Sequence, residues 1–206
     1  MFVVTADQIR SRRGPDRVPQ ALHALHHVPT PPVAGFERTV GDEVQGVLDK
    51  PEAVLEALMA LLRDGPWRVG VGVGTVEQPL PASPRAGRGP AFIAARTAVE
   101  AAHSPATGGL AVRTEAAEAA RQSALAESAL LLWADLVRQR SAQGWAVCDL
   151  LDDGLTQREI AERLGISPSA VSQRVRAARW EHQRRAADLA AYHLQAAHDL
   201  AVGGIR

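Results

Sequence analysis

The spacing of apolar residues changes character about halfway along this chain. Over residues 1–114 short β-branched runs alternate with helical segments. Residues 2–6, 36–40, 44–48 and 67–76 read as strands bounded by turn formers. Residues 18–27 and 51–63 carry helical spacing, the latter through Val54, Leu55, Leu58, Leu61 and Leu62. Gly41-Asp42 separates two strand-like runs and reads as a hairpin turn. Residues 79–90, rich in Pro, Gly, Ser and Arg, read as a mobile loop; 91–102 form another helix and 110–113 a last strand. From residue 115 the pattern is helical: one long helix over 115–140 broken by Ser141 and Gly144, a second over 145–151, and an alanine-rich amphipathic helix over 181–202. There is no internal repeat.

The order strand, helix, strand–hairpin–strand, helix, strand predicts a ferredoxin-like α/β sandwich over residues 1–114. An all-α region over 115–206 follows, so the expected class is α+β in two domains. Glycines in Gly70-Val71-Gly72-Val73-Gly74 lie within a strand and lack the Gly-Lys-Ser/Thr ending of a phosphate loop. They are expected to let a helix approach the sheet.

Residues 155–180 concentrate the clearest local signals. Thr156 and Glu159 form a capping box before Ile160 and Leu164, and Gly165 supplies a tight turn with Ile166 filling the interhelical angle. Ser167 caps a second helix, Pro168 occupies its first turn, and Val171 and Val175 give it a buried face. This is a helix-turn-helix, an element that most often places a helix in the major groove. Ser169, Ala170, Ser172, Gln173, Arg174, Arg176 and Arg179 are left to meet base edges and phosphates of double-stranded DNA, with Thr156, Gln157 and Ser167 at the helix starts. Between Leu155 and Arg185 seven arginines face three glutamates, in a chain whose formal charge is zero. That local excess is the electrostatic footprint of a DNA-binding end. The stretch resembles the helix-turn-helix of bacterial regulators and of sigma-factor region 4.

Composition narrows the rest. The 206 residues suffice for one large or two small domains, and 46% apolar content supports a folded core. No apolar run reaches the roughly 18 residues of a membrane span, and the N-terminus lacks a signal-peptide pattern. A single cysteine, Cys148, excludes an intramolecular disulfide framework and fits a reducing cytoplasm. Lys50 is the only lysine among 23 basic residues, a bias typical of GC-rich bacterial genomes. A lone helix-turn-helix gathers few contacts, so a homodimer over paired half-sites is expected. Leu125, Ala129, Leu132, Trp133 and Leu136, with Leu189, Tyr192 and Leu194, provide apolar stripes for it.

Asp7 ends the first strand and Asp42 sits in the hairpin. The expected topology brings these carboxylates to one sheet edge, where they suit Mg²⁺ carrying phosphates. Asp is equally a common turn residue, and spacing alone does not choose. Arg10, Arg12 and Arg13 either clamp phosphates, with Ser11, or form a solvated charge run.

The segments Ala6-Asp7-Gln8-Ile9-Arg10-Ser11, Gly41-Asp42-Glu43-Val44-Gln45-Gly46-Val47-Leu48, Arg68-Val69-Gly70-Val71-Gly72-Val73-Gly74 and Gly89-Pro90-Ala91-Phe92-Ile93-Ala94-Ala95-Arg96 together resemble the SatD family. They span nearly all of residues 2–103 in the right order. SatD-like proteins in turn resemble class III nucleotide cyclases and the diguanylate-cyclase palm. The resemblance implies metal-binding roles for Asp7 and Asp42, a base-recognising place for Arg38, and a phosphate contact for Arg96. Cyclases carry Asn where this chain has Phe92. An aromatic ring cannot align an attacking 3′-hydroxyl, and loss of a positioning contact lowers rate by orders of magnitude. The expected domain is therefore a nucleotide sensor, taking a purine nucleotide (ATP, GTP, a cyclic or cyclic-di-nucleotide) with Mg²⁺, rather than an enzyme.

Other signals point to no chemistry. His23, His26 and His27 have no Cys or carboxylate at ligand spacing. No Ser/His/Asp or Cys/His catalytic arrangement is visible. The leading expectation is a cytoplasmic DNA-binding transcription regulator without membrane contact. The rivals are an active nucleotide cyclase or nucleotidyltransferase with a regulatory tail, and a module that binds protein only.

Overall fold

The computed structural model describes residues 1–11 and 14–203. Alternating apolar positions build five strands: β1 (Phe2–Gln8), β2 (Ala34–Arg38), β3 (Glu43–Leu48), β4 (Trp67–Val73) and β5 (Leu110–Thr114). They form one sheet in the order β2-β3-β1-β4-β5. β1 pairs antiparallel with β3 and β4, β2 antiparallel with β3, and β5 parallel with β4. Helices α1 (Val18–His26), α2 (Pro51–Asp64) and α3 (Pro90–Ala101) connect them. After the sheet come α4 (Ala120–Arg138), α5 (Ala142–Asp152), α6 (Gln157–Leu164), α7 (Pro168–Ala177) and α8 (Trp180–Gly203). The chain is α+β, with a mixed sheet followed by a helical region.

Period-two alternation decides which face each residue serves. Phe2, Val4 and Ala6 of β1 pack with Val18, Leu25, Leu58 and Leu61 of α1 and α2. Leu130, Trp133 and Ala134 of α4 and Ala190, Leu194 and Ala197 of α8 belong to that same core. The division at residue 114 is thus a change of sequence texture; the sheet and two of the later helices bury their apolar surface together. By contrast α5, α6 and α7 close around a cluster of their own, Val147, Cys148, Ile160, Ala161, Val171 and Ala178.

The opposite face of the sheet is covered by α3, through Val3, Val47, Ala91 and Ala95, with Val76 and Leu80 packed beside it. Gly70 and Gly72 permit this. A Cβ on Gly70 would stand 2.2 Å from Val99 N, and one on Gly72 would stand 2.1 Å from Ala91 O. The glycines serve close backbone approach, as their position in a strand predicts.

Three local expectations change. The helix expected over 115–140 starts at Ala120, after a 3-10 turn at Ala117–Ala119. Gly144 does not break a helix: Ser141 caps α5, its Oγ accepting the Gly144 N–H at 3.1 Å. The segment 79–90 is held rather than slack, because the Glu37 carboxylate accepts Ser83 Oγ and the Arg85 N–H, and Glu77 N–H donates to Arg88 O at 2.9 Å. Apolar stripes expected on the long helices divide between inside and outside. Ala129, Trp133 and Leu194 are buried, whereas Leu132 is 65% exposed, Leu189 50% and Tyr192 68%.

Candidate DNA-binding face and carboxylate cleft

The helix-turn-helix is assembled from local bonds. Thr156 N–H and Oγ1–H both donate to Glu159 Oε2 at 2.7 Å, and Glu159 N–H donates back to Thr156 Oγ1 at 3.3 Å. Gly165 ends α6 at φ +63°, a left-handed conformation that favours glycine. Ser167 Oγ accepts the Ala170 N–H at 3.2 Å and starts α7, with Pro168 in its first turn. Ile160 and Val171 are fully buried between the helices, and Ile166 and Val175 pack against them.

That packing fixes what α7 presents. Val171, Val175 and Ala178 face inward, and Arg174, three residues from Val171, falls on the flank of this stripe and is half-buried. Ser169, Gln173, Arg176 and Ala177 are exposed, with Ser172 and Ala170 half-buried beside them. Ser169, Gln173 and Arg176 therefore form one outward row, polar and basic, with small neighbours that allow close approach. Thr156, Gln157, Ser167 and Arg179 are also exposed, Arg179 at φ +50° where α7 gives way to α8. No strand follows α7 among the described residues.

The second site is a cleft of about 520 Å³ on the α3 face of the sheet. Alternation directs Thr5 and Asp7 of β1 and Glu43 and Gln45 of β3 into it, and α3 adds Phe92 and Arg96. Gln45 Nε2 donates to Thr5 Oγ1 at 2.9 Å across the strands. Asp7 Oδ2 lies 3.8 Å from both Arg68 Nη1 and His103 Nε2. Burial, and next the negative charge of Asp42, push the Asp7 carboxyl above the usual aspartate value. Asp42 itself does not line the cleft; its backbone oxygen accepts the Gln8 N–H at 3.3 Å beside the end of β1. Arg85, Glu100 and His103 complete the wall. Those three lie on segments whose spatial position only the fold reveals, whereas the polar alternation of Thr5 with Asp7 and of Glu43 with Gln45 is visible in the sequence.

The remaining expected ligand contacts lie elsewhere. Arg10, exposed, and Ser11, half-buried, follow β1 but do not line the cleft. Arg38 is engaged on the rim: its guanidinium binds the Asp16 carboxylate and donates to Gly41 O at 3.1 Å. Arg12 and Arg13 lie outside the described residues. Among the described residues no group of three or more His, Cys, Asp or Glu could hold a metal. His26 Nε2 instead sits 3.0 Å from Phe36 O and His27 Nδ1 2.6 Å from His23 O. Cys148 is fully buried, and burial raises its thiol to about 11, so it stays protonated and unreactive.

No helix of the described residues is long and apolar enough to cross a membrane. No curated protein and no solved structure matches the chain. Residues 150–179, from the end of α5 through α7, match the family described as winged helix-turn-helix DNA-binding. The C-terminal region of this chain carries a DNA-binding helix-turn-helix, in which a long helix follows the recognition helix directly.

Proposed function

We propose that this protein is a transcription regulator whose sheet domain, of ferredoxin-like and cyclase-like type, holds a purine nucleotide with Mg²⁺ and so controls DNA binding. The outward row Ser169, Gln173 and Arg176, on a helix started by the Ser167 cap and seated on a buried core, is the observation that carries the DNA half. For the sheet half, support comes from the antiparallel order β2-β3-β1-β4 of a split βαβ unit, and from the cleft itself. Asp7 and Asp42 concentrate negative charge that a cation offsets, and Mg²⁺ ordinarily takes one or two carboxylates plus phosphate oxygens. Arg96 and Arg85 stand at the same cleft to meet phosphates. Phe92 lines it where a cyclase would place a ribose-orienting amide, so the bound nucleotide stays unconverted.

Two experiments test this. Retardation of DNA from the region upstream of its own gene should show specific binding, which Gln173→Ala with Arg176→Ala abolishes while the fold persists; each base contact contributes about 1–3 kcal/mol of discrimination. Arg179→Ala should weaken binding to all sequences and lower its salt dependence. Unchanged operator affinity in the double variant removes α7 from the interface. Calorimetry with ATP, GTP and cyclic-di-nucleotides, with and without Mg²⁺, should give binding that Asp7→Ala or Asp42→Ala eliminates. A wild type that binds none of them has kept only the fold.

A further inference from the structure

A second cavity is on the other side of the sheet from the carboxylate cleft. It holds about 790 Å³ in the crevice where α1 and α2 meet α4, α5 and α8. That lies within the roughly 300–1,000 Å³ of sites that take drug-sized molecules. Its walls are mostly carbon, from Val28, Pro29, Leu55, Met59, Ala60 and Trp133. The Trp133 indole nitrogen is sealed from solvent, so the ring offers the cavity carbon surface only.

The polar groups of this crevice are unequal in sign. Glu56, Asp64 and Asp152 contribute three carboxylates against the single guanidinium of Arg63. Arg63 is already committed: Nη1 and Nη2 donate to the two Asp149 oxygens at 2.8 and 2.7 Å, and the group lies 4.6 Å from the Trp145 ring centre. The carboxylates are only partly used. Glu56 accepts from Thr30 N–H and Oγ1–H, Asp64 Oδ2 from Trp67 Nε1 at 3.3 Å, and Asp152 Oδ1 from Trp180 Nε1 at 2.9 Å. A carboxylate has about four acceptor positions, so each keeps lone pairs for a further donor. Gln183, only 7% exposed, lines the crevice with an amide that has no side-chain hydrogen bond among the described residues.

From this charge imbalance on apolar walls we infer that the crevice binds a small amphipathic cation, an apolar body of drug-like size carrying one ammonium- or phosphonium-type charge. The inference is independent of the nucleotide reading. Occupancy bears on DNA binding because the crevice reaches the helix-turn-helix cluster at Asp152. Asp152 ends α5, the first helix of that cluster, and accepts from Trp180, the first residue of α8 beyond the recognition helix. A cation at Asp152 competes with the Trp180 N–H and shifts the junction from which α7 is held.

The probe is tetraphenylphosphonium, set against tetraphenylborate, a body of the same shape and opposite charge. Calorimetry on the full chain should show saturable one-to-one binding of the cation and at least about tenfold weaker binding of the anion, the ratio that 1.4 kcal/mol sets. Glu56→Gln, which keeps an acceptor but removes a charge, should weaken the cation about tenfold. Ala60→Phe fills the space and should abolish binding, with circular dichroism confirming the fold; Ala24→Leu serves if that variant unfolds. Saturating cation should also move the midpoint of DNA retardation. Equal affinity for the two ions, no cation binding, or unchanged binding in both folded filling variants overturns the site. An unmoved DNA midpoint overturns the coupling.

Discussion

Single side chains in this molecule are constrained by what stands within a bond length or two of them. Gly72 shows this in the packing. An added Cβ would meet backbone atoms of α3, Ala91 O at 2.1 Å and Ala95 N at 2.3 Å, which cannot rotate away. Gly72→Ala is expected to destabilise the fold by about 3 kcal/mol or more, with a matching drop in Tm. Gly165→Ala, where the added Cβ meets nothing within 4 Å but φ is +63°, should cost only about 1 kcal/mol. A Gly72→Ala protein that melts like the wild type would mean α3 can lift from the sheet freely. Asp7 shows the same rule in electrostatics. Its carboxyl is raised by burial and by Asp42, with His103 and Arg68 opposing. The folded state therefore holds the Asp7 proton more tightly than the unfolded chain does. Stability then falls as pH rises from the ordinary aspartate value through the raised one. Asp7→Asn should melt above the wild type at pH 7, the difference vanishing below about pH 4. Thermal melts across that range decide it, and a destabilised Asp7→Asn at pH 7 would show that the ion pairs to Arg68 and His103 outweigh burial.

At the scale of an element, the short helix α6 depends on its ends. Eight residues are too few to hold a helix by propensity, so the Thr156–Glu159 box and the Ile160 contact supply what the length does not. Thr156→Ala should cost about 1 kcal/mol. Hydrogen bonds from Thr156 hold the Glu159 carboxyl below the usual glutamate value. A carboxyl lowered in the folded state adds stability above the ordinary glutamate pKa and loses it as pH falls through the lowered one. Amide protection in residues 156–160, taken relative to the intrinsic exchange rate at each pH, should accordingly fall on acidification below about pH 4.5, and in Thr156→Ala it should already be low at neutral pH. Equal exchange in both proteins would show that tertiary contacts alone hold this turn. The legibility of α6 and α7 has the same cause: caps, a left-handed glycine and an apolar i, i+4 pair are interactions between near neighbours. Arg174 is the exception. Its inclusion with the outward residues follows residue type, whereas its flank position follows from Ala178, about three turns beyond Ser167 and buried against the α5 cluster.

For the whole molecule, the question is how the exposed apolar surface on α4 and α8 is covered. Trp133, Ala129 and Leu194 are consumed inside the subunit, while Leu132, Leu189 and Tyr192 remain exposed. We expect a second copy to cover them, placing two recognition helices on paired half-sites. Light scattering at micromolar concentration should give twice 21.9 kDa. Leu132→Glu with Tyr192→Glu should return it to the monomer and reduce operator affinity without lowering the Tm of the subunit. A wild-type particle of 21.9 kDa would refute the dimer.

What the sequence determined by itself is whatever rests on contacts between near neighbours. The strands, the hairpin at Gly41-Asp42, the helix-turn-helix caps and the role of the glycines in β4 follow from period, turn chemistry and the absence of a Cβ. Tertiary structure decided what depends on distant segments meeting. It drew α4 and α8 into the core of the sheet, because the apolar face of α1 and α2 needed a second layer. It set Arg85, Glu100 and His103 beside Asp7, and took Arg38 into an ion pair with Asp16. It also brought α2 and α5 together beside the crevice, where Arg63 pairs with Asp149 and lies over the Trp145 ring.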